Sequence, residues 1–154
     1  MMNFIPLRTL CALLMFTMAS ISLAASDTIT IQQVDDLKWQ DYPGLPGVKF
    51  VVVAGNPREA GPYTIRAKFA PGVMSKPHWH PEARYVTVMQ GTWWAGEGDV
   101  LNPDKTTPVK VGGFAIHTPG KVHYDGAKDE EVIVQISGIG PSGTNLVNPA
   151  PEAK

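Results

Sequence analysis

The chain holds four histidines, His78, His80, His117 and His123, the residues best suited to catalytic or metal chemistry. Two of them lie in the segment Lys76-Pro77-His78-Trp79-His80-Pro81-Glu82. On an extended backbone the side-chain period of two turns His78 and His80 to one face. Two neutral imidazoles at that spacing suit cis positions on a first-row divalent ion. Pro77 and Pro81 bracket the pair and stiffen it, which lowers the entropy lost on coordination. The same spacing also fits two half-exposed histidines beside a turn, so the pair alone does not decide between these readings.

A longer pattern surrounds the pair. It reads Gly72-x5-His78-x-His80-x3-Arg84-x6-Gly91, and later Gly112-x5-Thr118-Pro119-Gly120-x2-His123-x3-Ala127. In the register of its glycines and histidines the chain resembles the cupin superfamily, whose members carry these two signature motifs. The resemblance covers about residues 72–127. It implies a small antiparallel jelly-roll barrel, the double-stranded β-helix. It also implies a hairpin in the first motif with Gly91 at its turn. The second motif would then bring His123 to the same barrel interior as His78 and His80, and the three would hold a divalent transition metal (Fe, Mn, Ni, Cu or Zn).

Three positions depart from the family pattern. Arg84 stands where the family has its Glu ligand, Thr118 replaces a Pro, and Ala127 replaces an Asn. A guanidinium has no lone pair to offer and stays protonated, so Arg84 is not a ligand. Either Glu82 supplies the carboxylate, or the site is three-His with water or substrate in the open positions. Arg84 would pair with Glu82, clamp an anionic substrate, or simply reach solvent at the rim. His117 lies outside the motif and reads first as a hydrogen-bonded histidine at a strand end. Arg84, Trp93 and His117 are the candidate substrate-pocket residues. Trp79, Trp93 and Trp94 fill core or line a pocket mouth. Asp125 reads, with Asp129-Glu130-Glu131, as a solvated turn.

The rest of the chain must build a frame for these residues, and it is strand-like throughout. Thr28–Ile31 alternates polar and apolar. Val48–Val53 is β-branched, and Tyr63–Phe69 alternates with Tyr63, Ile65, Ala67 and Phe69 on one face. Arg84–Gln90, Thr92–Ala95, Val109–Val111, Gly113–Ile116 and Val132–Ile136 follow. A short turn near Val34–Trp39 is the one helical feature. Fifteen Gly and 14 Pro punctuate the chain, which fits many short strands and not a helical bundle. The pattern predicts about nine or ten short strands in an all-β antiparallel sandwich or barrel. Pro141–Lys154 reads as an extended arm.

Residues 1–25 have the form of a secretory signal peptide: Arg8, an apolar run from Leu10, then small residues up to Ala24-Ala25. The apolar run is too short for a membrane span, which needs about 20 residues. The domain boundaries expected are therefore 1–25 for the signal and 26–154 for a single domain, exported to the periplasm or beyond, with no stable membrane anchor after processing. Cys11, the single cysteine, lies in the signal. The mature chain then has no thiolate ligand or Cys nucleophile. Losing Arg8 from the 13 Lys+Arg leaves 12 against 14 Asp+Glu. That near-neutral, mildly acidic balance argues against a nucleic-acid partner.

Two function classes follow. One is a metal-dependent oxygenase or isomerase acting on a small molecule, with no catalytic base identified. The other is a non-enzymatic ligand-binding or sensory domain, with or without metal, since the fold hosts both. A homodimer formed through an extended strand at 28–33 is a further expectation by analogy with small cupins.

Overall fold

The computed structural model describes residues 29–147. Contacts divide the chain into a unit Met1–Ile31 and a unit Gln32–Lys154, and the second unit carries the fold below. The expected signal peptide lies outside the described residues.

Period-two alternation sets the inner faces. In β3 (Gly61–Phe69) the side chains of Tyr63, Ala67 and Phe69 are buried and the intervening residues are less so. β2 (Val48–Ala54) departs from the alternation, with Val48 and Val51, three residues apart, both buried. In β5 (Arg84–Gln90) Arg84, Val86 and Val88 point inward, with Tyr85 and Met89 exposed. β10 (Val132–Gly140) buries Val132 and Val134. With β1 (Gln40–Asp41) and β8 (Phe114–His117), these strands form a six-stranded sheet in the order β1-β2-β3-β10-β5-β8.

The second sheet has five strands. They are β4 (His78–Trp79), β6 (Trp93–Glu97), β7 (Thr107–Val109), β9 (His123–Ala127) and β11 (Asn145–Leu146), in the order β11-β4-β9-β6-β7. All pairings are antiparallel. The core between the sheets is built from Val48, Ala67, Phe69, Val86, Val88, Trp93, Ala127, Val132 and Val134. This is the expected all-β double-stranded β-helix.

Four local expectations change. The first motif is not a hairpin: β5 and β6 lie in different sheets, so Gly91 turns the corner between layers. Gly91 has φ +72°, and a Cβ there would lie 2.5 Å from the Glu131 carbonyl oxygen, so only glycine fits the corner. Within the single chain Ile29–Gln33 forms no strand, and Ile29 and Ile31 are 74% and 73% exposed. Alternation without burial does not make a strand. The chain next forms only a short 3-10 turn, Val34–Asp36. Val109–Val111 is cut short because Lys110–Gly113 turns back, with Gly113 N–H donating to the Lys110 carbonyl at 2.8 Å.

The C-terminal stretch is not a free arm in its described part. Ser142 N–H donates to the Pro57 carbonyl at 2.6 Å and Val147 N–H to the Pro77 carbonyl at 2.9 Å. Between them β11 adds to β4, pairing Asn145 with Trp79 and Leu146 with His78. Residues 141–147 therefore form a strap lying along the histidine segment.

Candidate metal centre

Register brings together histidines far apart in sequence. His78 on β4 is the direct cross-strand partner of His123 on β9, and directly opposed residues share a face. His80 follows His78 by two residues and shares that face. The Gly120 N–H donates to the His80 carbonyl at 2.8 Å, tying the second motif's turn to the first motif. The ring centroids lie 4.8 Å (His78–His80), 4.4 Å (His78–His123) and 5.0 Å (His80–His123) apart. One nitrogen from each ring lies within 4.8 Å of the others.

Hydrogen bonds decide which nitrogens are free. Nδ1 of His78 lies 2.7 Å from the Lys76 carbonyl, Nδ1 of His80 2.8 Å from Gly143, and Nδ1 of His123 3.0 Å from Lys121. A carbonyl oxygen only accepts, so each Nδ1 carries the proton and donates. Each Nε2 then keeps its lone pair, the outer-sphere arrangement that orients metal-ligating histidines. His123 Nε2 is buried with no hydrogen-bond partner. Leaving such an atom unpaired costs about 1–3 kcal/mol, which binding to a cation would recover.

The electrostatics favour the neutral ring at His80, His117 and His123. Burial, then the Arg84 charge, pushes His80 down to about 3, against the pull of the Gly143 carbonyl. Burial pushes His117 down to about 3 and lowers His123, in both cases against the pull of Asp125. Neutral imidazole is the ligating form. Donor type and tautomer fit a first-row divalent ion on His78, His80 and His123, and at His80 and His123 the lowered pKa favours the ligating form.

Glu82 is not brought to this group. Its Oε1 accepts from Arg84 Nε at 3.0 Å and from the Tyr63 hydroxyl at 3.3 Å, and its Oε2 from Gly143 N–H at 3.3 Å. Burial alone would raise its carboxyl; Ser142 and Arg84 beside it hold it below the ordinary carboxylate value. The nearby guanidinium captures Glu82, so the three-histidine arrangement is the one the structure presents. Arg84 is not a rim residue. It is buried, and its Nη2 donates to the Ser142 hydroxyl and, at 3.0 Å, to the Gly143 carbonyl. That same carbonyl accepts from His80 Nδ1. Arg84 and Glu82 thus grip both ends of the Gly143 residue that orients His80.

His117 also departs from expectation. It ends β8 opposite Arg84, but its Nδ1 is buried without a partner. Its ring packs 3.8 Å from His123 and 5.7 Å from Trp93, centroid to centroid. Asp125 was the residue missed. It is no solvated turn but is 5% exposed on β9. Its Oδ2 lies 3.9 Å from His123 Nε2. The available signal was its spacing of two from His123, the same period that pairs His78 with His80. Asp129 and Glu130 are exposed, as expected.

The centre opens on a cavity of about 260 Å³. His78, His80, Arg84, Trp93, His117 and Asp125 line its polar part; Phe50, Ile65, Phe69, Val134 and Ile136 are among its apolar lining. All three candidate pocket residues, Arg84, Trp93 and His117, therefore face it. Trp93 is at once core, at 1% exposure, and cavity wall, and its indole Nε1 has no hydrogen-bond partner. Thr144 and Leu146 of the strap also line the cavity.

Solved structures share this architecture. The polyketide cyclase RemF from Streptomyces resistomycificus aligns with a TM-score of 0.65 at 15% identity, over 79% of this chain and 87% of that one. A double-stranded β-helix protein from Klebsiella pneumoniae aligns at 0.58 and 24% identity, over 77% and 97%. A cupin sugar phosphate isomerase from Silicibacter pomeroyi aligns at 0.60 and 14% identity, over 78% and 83%. No curated protein matches the chain by sequence. Residues 27–141 match the ChrR cupin-like domain, and the chain belongs to that family of the cupin superfamily.

Proposed function

We propose that this chain is an exported metal-dependent cupin acting on a small organic molecule. The observation that carries the reading is the set of three Nδ1–H···O=C bonds, which leave three imidazole Nε2 atoms free within one cluster. His78, His80 and His123 would hold an Fe, Mn, Ni, Cu or Zn ion. When bound, such an ion polarises an oxygen of the substrate or, if redox-active, supports oxygen chemistry.

The protein's own residues do the rest. Phe50, Ile65, Phe69 and Ile136 keep water from the inner cavity and receive the apolar part of a ligand. The bonds of Arg84 to protein use Nε and Nη2. Nη1 is left to orient a carboxylate or enolate oxygen, an oxygenase or isomerase substrate feature. The fold occurs in enzymes of small-molecule chemistry, among them a polyketide cyclase and a sugar phosphate isomerase.

Arg84 in place of an acidic ligand favours a second reading, a non-enzymatic small-ligand or sensory domain. The test is the metal content of the purified mature protein and of the His78→Ala/His80→Ala variant, followed by oxygen uptake and product analysis with phenols, diketones and thiols. Metal in the wild type with turnover of one substrate class supports the enzyme. Metal with ligand binding but no turnover supports the sensor. No metal, and no uptake on reconstitution, overturns the metal reading. Fractionation of cells producing the full chain tests export: processed protein in the periplasm or medium is expected, and unprocessed protein in the cytoplasm would exclude it.

A further inference from the structure

We infer that the barrel contains a second metal position, formed by His117, His123 and Asp125, that shares His123 with the three-histidine set and excludes it. Four observations lead there.

First, one donor atom from each of His117, His123 and Asp125 lies within 4.8 Å of the other two. Three ligand atoms bonded to one tetrahedral ion at about 2.1 Å stand about 3.4 Å apart, so the group closes on an ion with side-chain shifts of up to about an ångström. Second, the 3.9 Å from His123 Nε2 to Asp125 Oδ2 is too long for a hydrogen bond and right for two ligands of one ion. Third, two ring nitrogens, His117 Nδ1 and His123 Nε2, are buried without partners. Native proteins rarely leave such atoms unpaired, and two on neighbouring rings, 3.8 Å apart between centroids, call for a ligand. Fourth, His117 and His123 line a second cleft of about 830 Å³, with Glu97, Lys105 and Lys121 on its walls. Two of the three residues therefore face a second space, apart from the apolar cavity that Asp125 lines.

The chemistry of the two positions differs. The first offers three imidazole nitrogens. The second offers two imidazoles and a carboxylate, a harder set suited to Zn, Fe(II), Mn(II) or Co(II). It restores the negative charge that the family's signature supplies and that Arg84 removes. Exclusion follows from His123. Its Nδ1 donates to the Lys121 carbonyl, so Nε2 has the only lone pair and serves one ion at a time.

Co(II) and Zn(II) titrations followed by calorimetry, with the visible spectrum of the Co(II) form, test this. Wild-type protein should bind about one ion per chain. The His78→Ala/His80→Ala variant should still bind about one, more weakly and with an altered Co(II) spectrum. Adding Asp125→Asn to that variant should abolish uptake. The pair His78→Gln/His80→Gln serves if the alanine variant lacks native circular dichroism. No uptake by either folded variant overturns the second position, as does uptake that Asp125→Asn leaves unchanged. Two ions in the wild type overturn the exclusion. A folded His117→Ala/Asp125→Asn variant isolates the three-histidine set: its failure to bind would sink that set and leave this position standing.

Discussion

Two buried polar regions sit side by side in this barrel, and they are built on opposite terms. In the corner made by Arg84, Glu82, Tyr63, Ser142 and Gly143, charged and polar groups are tied to one another within the protein. In the histidine cluster, Nδ1 of His78, His80 and His123 is tied to a carbonyl, while His123 Nε2 and His117 Nδ1 have neither partner nor solvent. Burial makes an unpaired polar group expensive. A satisfied network therefore reads as structure, and an unsatisfied one reads as a place for a ligand. The satisfied corner also serves the open one, because Gly143 belongs to both.

The contrast can be broken by substitution, and the largest effect should come from the satisfied corner. Arg84→Met leaves Glu82 inside the protein without its cation. A loss of about 3 kcal/mol in denaturant unfolding is expected, with metal affinity about 10–100-fold weaker as the Gly143 carbonyl slackens on His80. Glu82→Leu/Arg84→Met together should cost much less than Arg84→Met alone, since no charge is stranded. Equal losses for the single and double variants would mean the corner is not a coupled pair.

The open cluster should respond to metal instead. Zn(II) at about a hundredfold over its dissociation constant should stabilise the protein by about 2.7 kcal/mol, removed by a chelator and absent in His123→Ala. A thermal melt with and without chelator checks this, and equal stabilisation of His123→Ala would place the ion elsewhere.

The smallest effect is expected at His117. His117→Leu removes an unpaired buried nitrogen and should leave the metal-free protein unchanged or more stable by up to about 1 kcal/mol. A loss of more than about 1 kcal/mol would show that His117 holds a partner after all.

Much of this was legible before any coordinates. Glycine and histidine spacing marked the family, and alternation in Tyr63–Phe69 marked the buried face that β3 presents. Other features were not legible because they depend on what lies across a sheet. Thr28–Ile31 alternates as well as Tyr63–Phe69 does, yet Ile29–Ile31 forms no strand. Gly91 looked like a hairpin turn because sequence does not say that the next strand joins another sheet. Asp125 looked solvated by its acidic neighbours, whereas β9 places it inside.

By itself the sequence determined the ingredients: an all-β chain, a stiffened His78–His80 pair on one face, and a later His123 in a turn-bounded motif. These follow from local physics, the period of a strand and the conformations Gly and Pro permit. The tertiary structure alone decided what each carboxylate meets. Glu82, near the histidines in sequence, was captured by Arg84 and the C-terminal strap; Asp125, assigned to solvent, was carried beside His123. Cross-strand register and the return of residues 141–147 over β4 set those distances, and electrostatics in a buried site depends on distance and solvent exclusion rather than on order along the chain.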